Sequence, residues 1–152
     1  MVFRDGLHDF YHDFLNYNSH ERLIQCGVFN GLTIKEFIDI CPDYEWIIGI
    51  EADFSNYANS MWVTSERDVR LMYNAVSDKR EMVSFESTGT GRSKISNNGN
   101  GTVLAIRGDE LKCKPTMIQM DIEGAEMRAL IASRDMLKLP DITTVFPSST
   151  FE

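Results

Sequence analysis

The stretch from Arg22 to Gly31, RLIQCGVFNG, constrains the fold more than any other part of the chain. Leu23, Ile24, Cys26 and Val28 form a short apolar run, the pattern of a strand buried on both faces in a parallel sheet. Gly27 and Gly31 punctuate the next few residues, and then Ile34, Phe37, Ile38 and Cys41 recur at i, i+3, i+4 and i+7 until Pro42 stops the helix. Strand, glycine turn and helix in succession gather backbone amides and a helix N-terminus around an open crevice. That is where a nucleotide-like ligand approaches an α/β sheet. Tight turns of this kind need glycine with or without a ligand, so the spacing alone leaves both readings open.

The pattern repeats downstream. Trp46 to Ile50 predicts a second strand, ending in Glu51. Asp53 or Ser55 can cap a helix in which Phe54, Tyr57, Ala58, Met61 and Trp62 keep helical spacing, and Val69 to Val76 reads as a third strand. The order β-α-β-α-β predicts right-handed crossovers and a parallel sheet. Met82 to Phe85 and Val103 to Ile106 then suggest an antiparallel excursion around a polar segment, Ser87 to Gly101. That segment carries Arg92 and Lys94 and lacks the full phosphate-loop pattern. It reads as a mobile surface loop, with a substrate lid as the alternative. Pro115 to Met120 gives another strand ending in Asp121, Gly124 opens a helix to about Leu137, and Ile142 to Phe146 makes a last strand.

Residues 1–20 read as a covering helix with Leu7, Phe10, Tyr11, Phe14 and Leu15 on one stripe. His8 and His12 flank that stripe without a third ligand, so no metal site is expected. With no repeat or linker, residues 1–152 read as a single domain. The net charge of −8 argues against nucleic acid and against anionic membranes as partners. No apolar run approaches the roughly 18 residues of a membrane span, and the N-terminus lacks the order of a secretory signal. Cys26, Cys41 and Cys113 are odd in number and widely spaced, which suits a reducing, cytoplasmic setting.

Glu51, Asp121 and Glu123 follow strand ends, so a parallel sheet would gather them on the rim beside the glycine turn. Glu51 stands where an acid can accept both hydroxyls of a ribose, or where an acid simply favours the next helix N-terminus. Glu126 falls on the same helical face as Ala129, Leu130, Ser133, Met136 and Leu137, so it is expected to point at the sheet rim and not at solvent, either toward a ligand or simply as a first-turn acid favoured by the helix dipole.

MIQMDIEGAEMRALIAS, residues 117–133, resembles the Asp-x-Glu-Gly-Ala-Glu stretch of FkbM-type methyltransferases. LIQCGVFNGLTIKEF, GIEADFSNYANS and NAVSD are similar to that family's first motif, its Glu-Pro/Ala-Asp element and the segment after its third strand. The resemblance implies a Rossmann-like α/β fold, a mostly parallel sheet flanked by helices, and S-adenosylmethionine as cofactor. It implies methyl transfer to a hydroxyl of a sugar or natural-product acceptor, a small molecule or a glycan. Gly27 and Gly31 would approach the methionine half, Glu51 the ribose, and Asn74 with Ala75 the adenine. Asp121 would sit nearest the reacting methyl, with Glu123 and Glu126 as further catalytic candidates. No metal is assigned. Three positions depart from the family pattern: Gln25, still a cofactor-binding candidate, replaces the aspartate that begins the first motif and loses a charge that would favour the cationic cofactor, Leu32 replaces an acid, and Gln119 replaces a lysine. The sequence also stops after what would be the fifth of seven strands, a C-terminal shortening.

The resulting expectation is an O-methyltransferase, with a non-catalytic domain that keeps the fold as the alternative. A nicotinamide dehydrogenase fits less well, since Gly-x-Gly-x-x-Gly is missing. Ile142 to Val145 should pair with the strand of Ile24 or that of Met117. With Val145 and Phe146 leaving apolar surface beside an unpaired edge, a homodimer through that C-terminal strand is expected.

Overall fold

The computed structural model describes residues 17–122 and 124–146, which form two sheets. The larger is fully parallel. It contains β1 (Arg22–Cys26), β2 (Trp46–Glu51), β3 (Val69–Tyr73), β8 (Met117–Met120) and β9 (Thr143–Val145), in the order β3-β2-β1-β8-β9. The smaller holds β4 (Ala75–Val76), β5 (Glu81–Glu86), β6 (Lys94–Ile95) and β7 (Gly101–Ile106) in the order β4-β7-β5-β6. Its β5 runs antiparallel to both neighbours, the excursion that the sequence suggests.

The apolar runs are continuous because β1 and β8 are covered on both faces. Leu23 and Met117 join Ile34 and Phe37 of α1 (Leu32–Ile40) in one apolar cluster. Ile24, Cys26, Ile118 and Met120 join Ala129 of α3 (Glu126–Ala132) in another. Gln25 shares the strand face of Leu23 and is 1% exposed.

Four elements differ from the sequence reading. The run from Val69 to Val76 is two strands, broken at Asn74. There the backbone amide donates to the Glu51 carbonyl (3.1 Å) and the side-chain amide to the Leu104 carbonyl (3.0 Å), so the chain leaves one sheet and enters the other. The helix α2 (Phe54–Ser60), continued by a 3-10 turn over Met61–Ser65, buries Asn56, Ser60 and Val63 instead of its apolar stripe. Phe54 and Trp62 stay 61% and 43% exposed. Phe54 and Tyr57 instead pack against Tyr73 at the sheet edge, with ring centroids 5.6 and 5.5 Å apart.

The helix after Gly124 ends at Ala132, well short of Leu137. Met136–Lys138 form a separate 3-10 turn, whose start is held by the Asp109 carboxylate accepting from the amides of Asp135 and Met136. Finally, β9 pairs with β8, the strand of Met117, and Val145 is only 8% exposed. Phe146 is half-buried against the second apolar cluster, so these two side chains fill the core and do not form a bare patch. The covering helix expected over residues 1–20 lies almost wholly outside the described residues.

Candidate functional site

Backbone hydrogen bonds lace the C-terminal ends of the central strands together. Gly27 donates to the Ile50 carbonyl (2.8 Å), and Asp121 donates to the Cys26 carbonyl (2.9 Å). The strand ends therefore meet at one rim, as a parallel sheet requires. Gly27 has φ of 83°, and a Cβ there would lie 2.0 Å from the Asp121 carbonyl oxygen, so only glycine lets the turn close on β8. Gly31, at φ 86°, is required for a different reason: its Cβ would meet Val63 at 2.7 Å and the Trp62 ring at 3.2 Å.

A cavity of about 870 Å³ opens at this rim, within the usual size of a small-molecule site. Gly27, Phe29, Glu51, Asn74, Ala75 and Asp121 contribute to its walls, together with residues 90–95 of the polar segment. Glu51, Asn74, Ala75, Gly27 and Asp121 are thus brought together as the sequence reading expects. Gln25 and Gly31 lie behind the wall, and Glu126, although buried at 6% exposure on the predicted face, does not line the cavity. Glu123 falls outside the described residues.

Glu51 is 7% exposed and holds the turn in place. Its Oε2 accepts from the amides of Val28 (3.0 Å) and Phe29 (2.8 Å), and its Oε1 from the amide of Asp53 (2.8 Å). Burial pushes its carboxyl above the usual range, against the pull of these three amides toward the charged form. A carboxylate has about four acceptor directions, so roughly one remains for a ligand. Two hydroxyls on Glu51, as its position in the sequence suggests, would have to share that direction or displace one of these amides.

Gln25 donates from Nε2 to the Gly27 carbonyl (2.8 Å), while its buried Oε1 has no partner among the described residues. It braces the turn from beneath and does not reach the cavity. Asp121 is exposed on the cavity rim. The polar segment is not a loose loop: it contains β6, paired to β5, and Asp53 ties it to the start of α2.

Sequence reasoning assigns Asp53 only a capping role. A run of hydroxyls as dense as Ser87, Thr88, Thr90 and Ser93 is the available sign that this segment seeks an acceptor. Among the described residues, no three His, Cys, Asp or Glu side chains are grouped so as to hold a metal ion. Among the same residues, no helix is long and apolar enough to cross a membrane.

No family model and no curated protein sequence matches the chain. Among solved structures, it is similar to methyltransferase FkbM from Methylobacillus flagellatus KT, with a TM-score of 0.73 and 18% sequence identity. The match covers 91% of this chain and 35% of that one, so the chain spans about a third of the length of the protein it resembles. The mostly parallel sheet flanked by helices matches the Rossmann-like fold of that FkbM methyltransferase structure.

Proposed function

We propose that this chain binds S-adenosylmethionine and transfers its methyl group to a hydroxyl of a sugar or natural-product acceptor. The observation that carries the reading is the convergence of Gly27, Glu51, Asn74 and Asp121 on one cavity at the ends of β1, β2 and β8. The residues present fit a cofactor of that kind. Gly27 presents bare backbone to the cavity, Glu51 keeps an acceptor direction for a ribose hydroxyl, and Asn74 and Ala75 line the same cavity, where the base would lie. Such a cofactor supplies an electrophilic methyl group.

The chain's own residues would do the rest. Glu51 holds the turn and orients the ligand, and the Asp121 carboxylate on the rim takes the proton that an attacking hydroxyl sheds. The other reading, a domain that binds without turnover, is favoured by Gln25, which places an amide under the turn where the resemblance calls for a charge.

Calorimetric titration with S-adenosylmethionine and with S-adenosylhomocysteine tests the proposal. Saturable one-to-one binding of both is expected, and a flat titration with each would overturn it. Given binding, Asp121→Asn separates the two readings: turnover should fall while product affinity holds. Binding by the parent without methyl transfer to any hydroxyl acceptor would favour the non-catalytic reading.

A further inference from the structure

Asp53 is fully buried, and its two carboxylate oxygens have different partners. Oδ1 accepts from the amides of Ser55 (2.8 Å) and Asn56 (3.2 Å), the ordinary work of a helix N-cap. Oδ2 accepts from the Ser87 hydroxyl (2.7 Å), the Ser93 hydroxyl (2.6 Å) and the Gly89 amide (2.9 Å). A cap needs one oxygen, so the three donors on the second serve no helix. All three come from the segment that walls the cavity, and Asn56 adds a bond from its side-chain amide to the Thr90 carbonyl (3.2 Å).

The connections run the other way too. The Asp53 amide donates to Glu51, whose second oxygen holds the amides of the glycine turn. Turn, Glu51, Asp53 and the 87–93 segment form one hydrogen-bonded chain from the floor of the cavity to its wall. Burial raises the Asp53 carboxyl, but hydrogen bonds from Ser93, Ser87, Gly89 and Asn56 outweigh it and bring the group down to about 2. The latch is therefore charged at any ordinary pH, when charge-assisted bonds are strongest.

We propose that Asp53 is a positioning residue, which latches residues 87–93 as a fixed wall of the cavity and, through Glu51, links that wall to the ligand-binding turn. The latch stands on the geometry alone. The linkage rests on the cofactor reading above.

Asp53→Asn is the discriminating change. Asparagine keeps an oxygen for the cap, a position it suits well, but puts an NH₂ where Gly89 needs an acceptor. Ser87→Ala with Ser93→Ala removes the two hydroxyl bonds to Oδ2 from the opposite side and leaves Asp53 and its Gly89 bond in place. Arg92 is an exposed trypsin site within the segment, and Lys94, also exposed, lies just past it at the start of β6. Cleavage after them should accelerate about tenfold or more in each variant, because proteolysis follows the population of the opened segment. Because both changes act on the bonds at Oδ2, combining them should cost less than the sum of their separate effects.

S-adenosylhomocysteine should slow cleavage of the parent and lose that effect in Asp53→Asn, a response that a merely structural cap would not give. Equal cleavage of parent and both variants would overturn the latch. Cleavage of the parent unchanged by a ligand that calorimetry shows bound would overturn the linkage. No calorimetric binding to the parent would overturn the cofactor reading and the linkage with it, while the cleavage comparison still decides the latch.

Discussion

Single residues at this rim do two jobs at once, and that changes what their substitution should do. Glu51 satisfies three backbone amides, so Glu51→Ala leaves buried donors without an acceptor as well as removing a ligand contact. Each such orphan costs about 1–3 kcal/mol, so the variant should lose roughly 3 kcal/mol or more of unfolding free energy. Denaturant titration checks this, and a variant as stable as the parent would mean that water or rearrangement replaces the carboxylate.

Gln25 behaves in the same spirit. Restoring the aspartate that the family resemblance suggests would tighten binding only if residue 25 faced the ligand. At 1% exposure, with its amide given to the Gly27 carbonyl, it does not. Gln25→Asp exchanges that donor for a shorter, buried acid beside a carbonyl oxygen, and should cost about 2–4 kcal/mol without improving cofactor affinity. Tighter binding by a stable variant would show that the turn opens to bring position 25 into the cavity.

At the scale of elements, the link between β2 and α2 sets the acid response. The Asp53 carboxyl falls from 3.8 to about 2 on folding, so its stabilisation is complete above pH 3.8 and is lost as pH falls toward about 2. Glu51 is shifted the other way: what it contributes is present below its unfolded value and is lost as pH rises through its folded one. Of these two carboxyls, only Asp53 weakens the fold as acid is added. Urea midpoints measured across this window should fall more steeply in the parent than in Asp53→Asn, and parallel slopes would remove Asp53 from the account.

These same elements mark where the sequence stops being legible. The unit from β1 through the turn to α1 could be read because burial on both faces leaves an unbroken apolar signal. In α2 the apolar spacing is present, but a side-chain cap and edge-on and tilted ring contacts with Tyr73 accompany a rotation that buries the polar Asn56 and Ser60. The break at Asn74 depends on partners in β2 and before Ile106 that no local pattern reveals. The role of residues 87–93 is visible only once one buried carboxylate is seen to serve two segments. Of the site, Glu51 and Asp121 were legible as strand-end acids. That Gln25 and Gly31 face the protein was not, because family position does not specify which way a side chain turns.

For the molecule as a whole, the remaining question is the outer side of β9, which among the described residues is an edge of the large sheet. Apolar burial no longer argues for a homodimer there, since Val145 and Phe146 pack inward. The backbone still does. The Thr143 amide donates to the Thr116 carbonyl (2.9 Å), so strand alternation turns the amide and carbonyl of Thr144 outward. A second copy pairing there would gain two to four backbone bonds at about 1 kcal/mol each, which corresponds to a dissociation constant near or above millimolar. Weak self-association is thus expected, visible as concentration-dependent sedimentation near millimolar protein and absent at micromolar. Val145→Lys is a poor test, because it would disrupt the core of a monomer just as surely. Thr144→Pro is the better one, removing the outward amide while sparing the bonds to β8, and it should abolish association at a small cost in stability. A tight dimer that survives Thr144→Pro would move the contact to another surface, and a strict monomer near millimolar concentration would show that this edge recruits nothing.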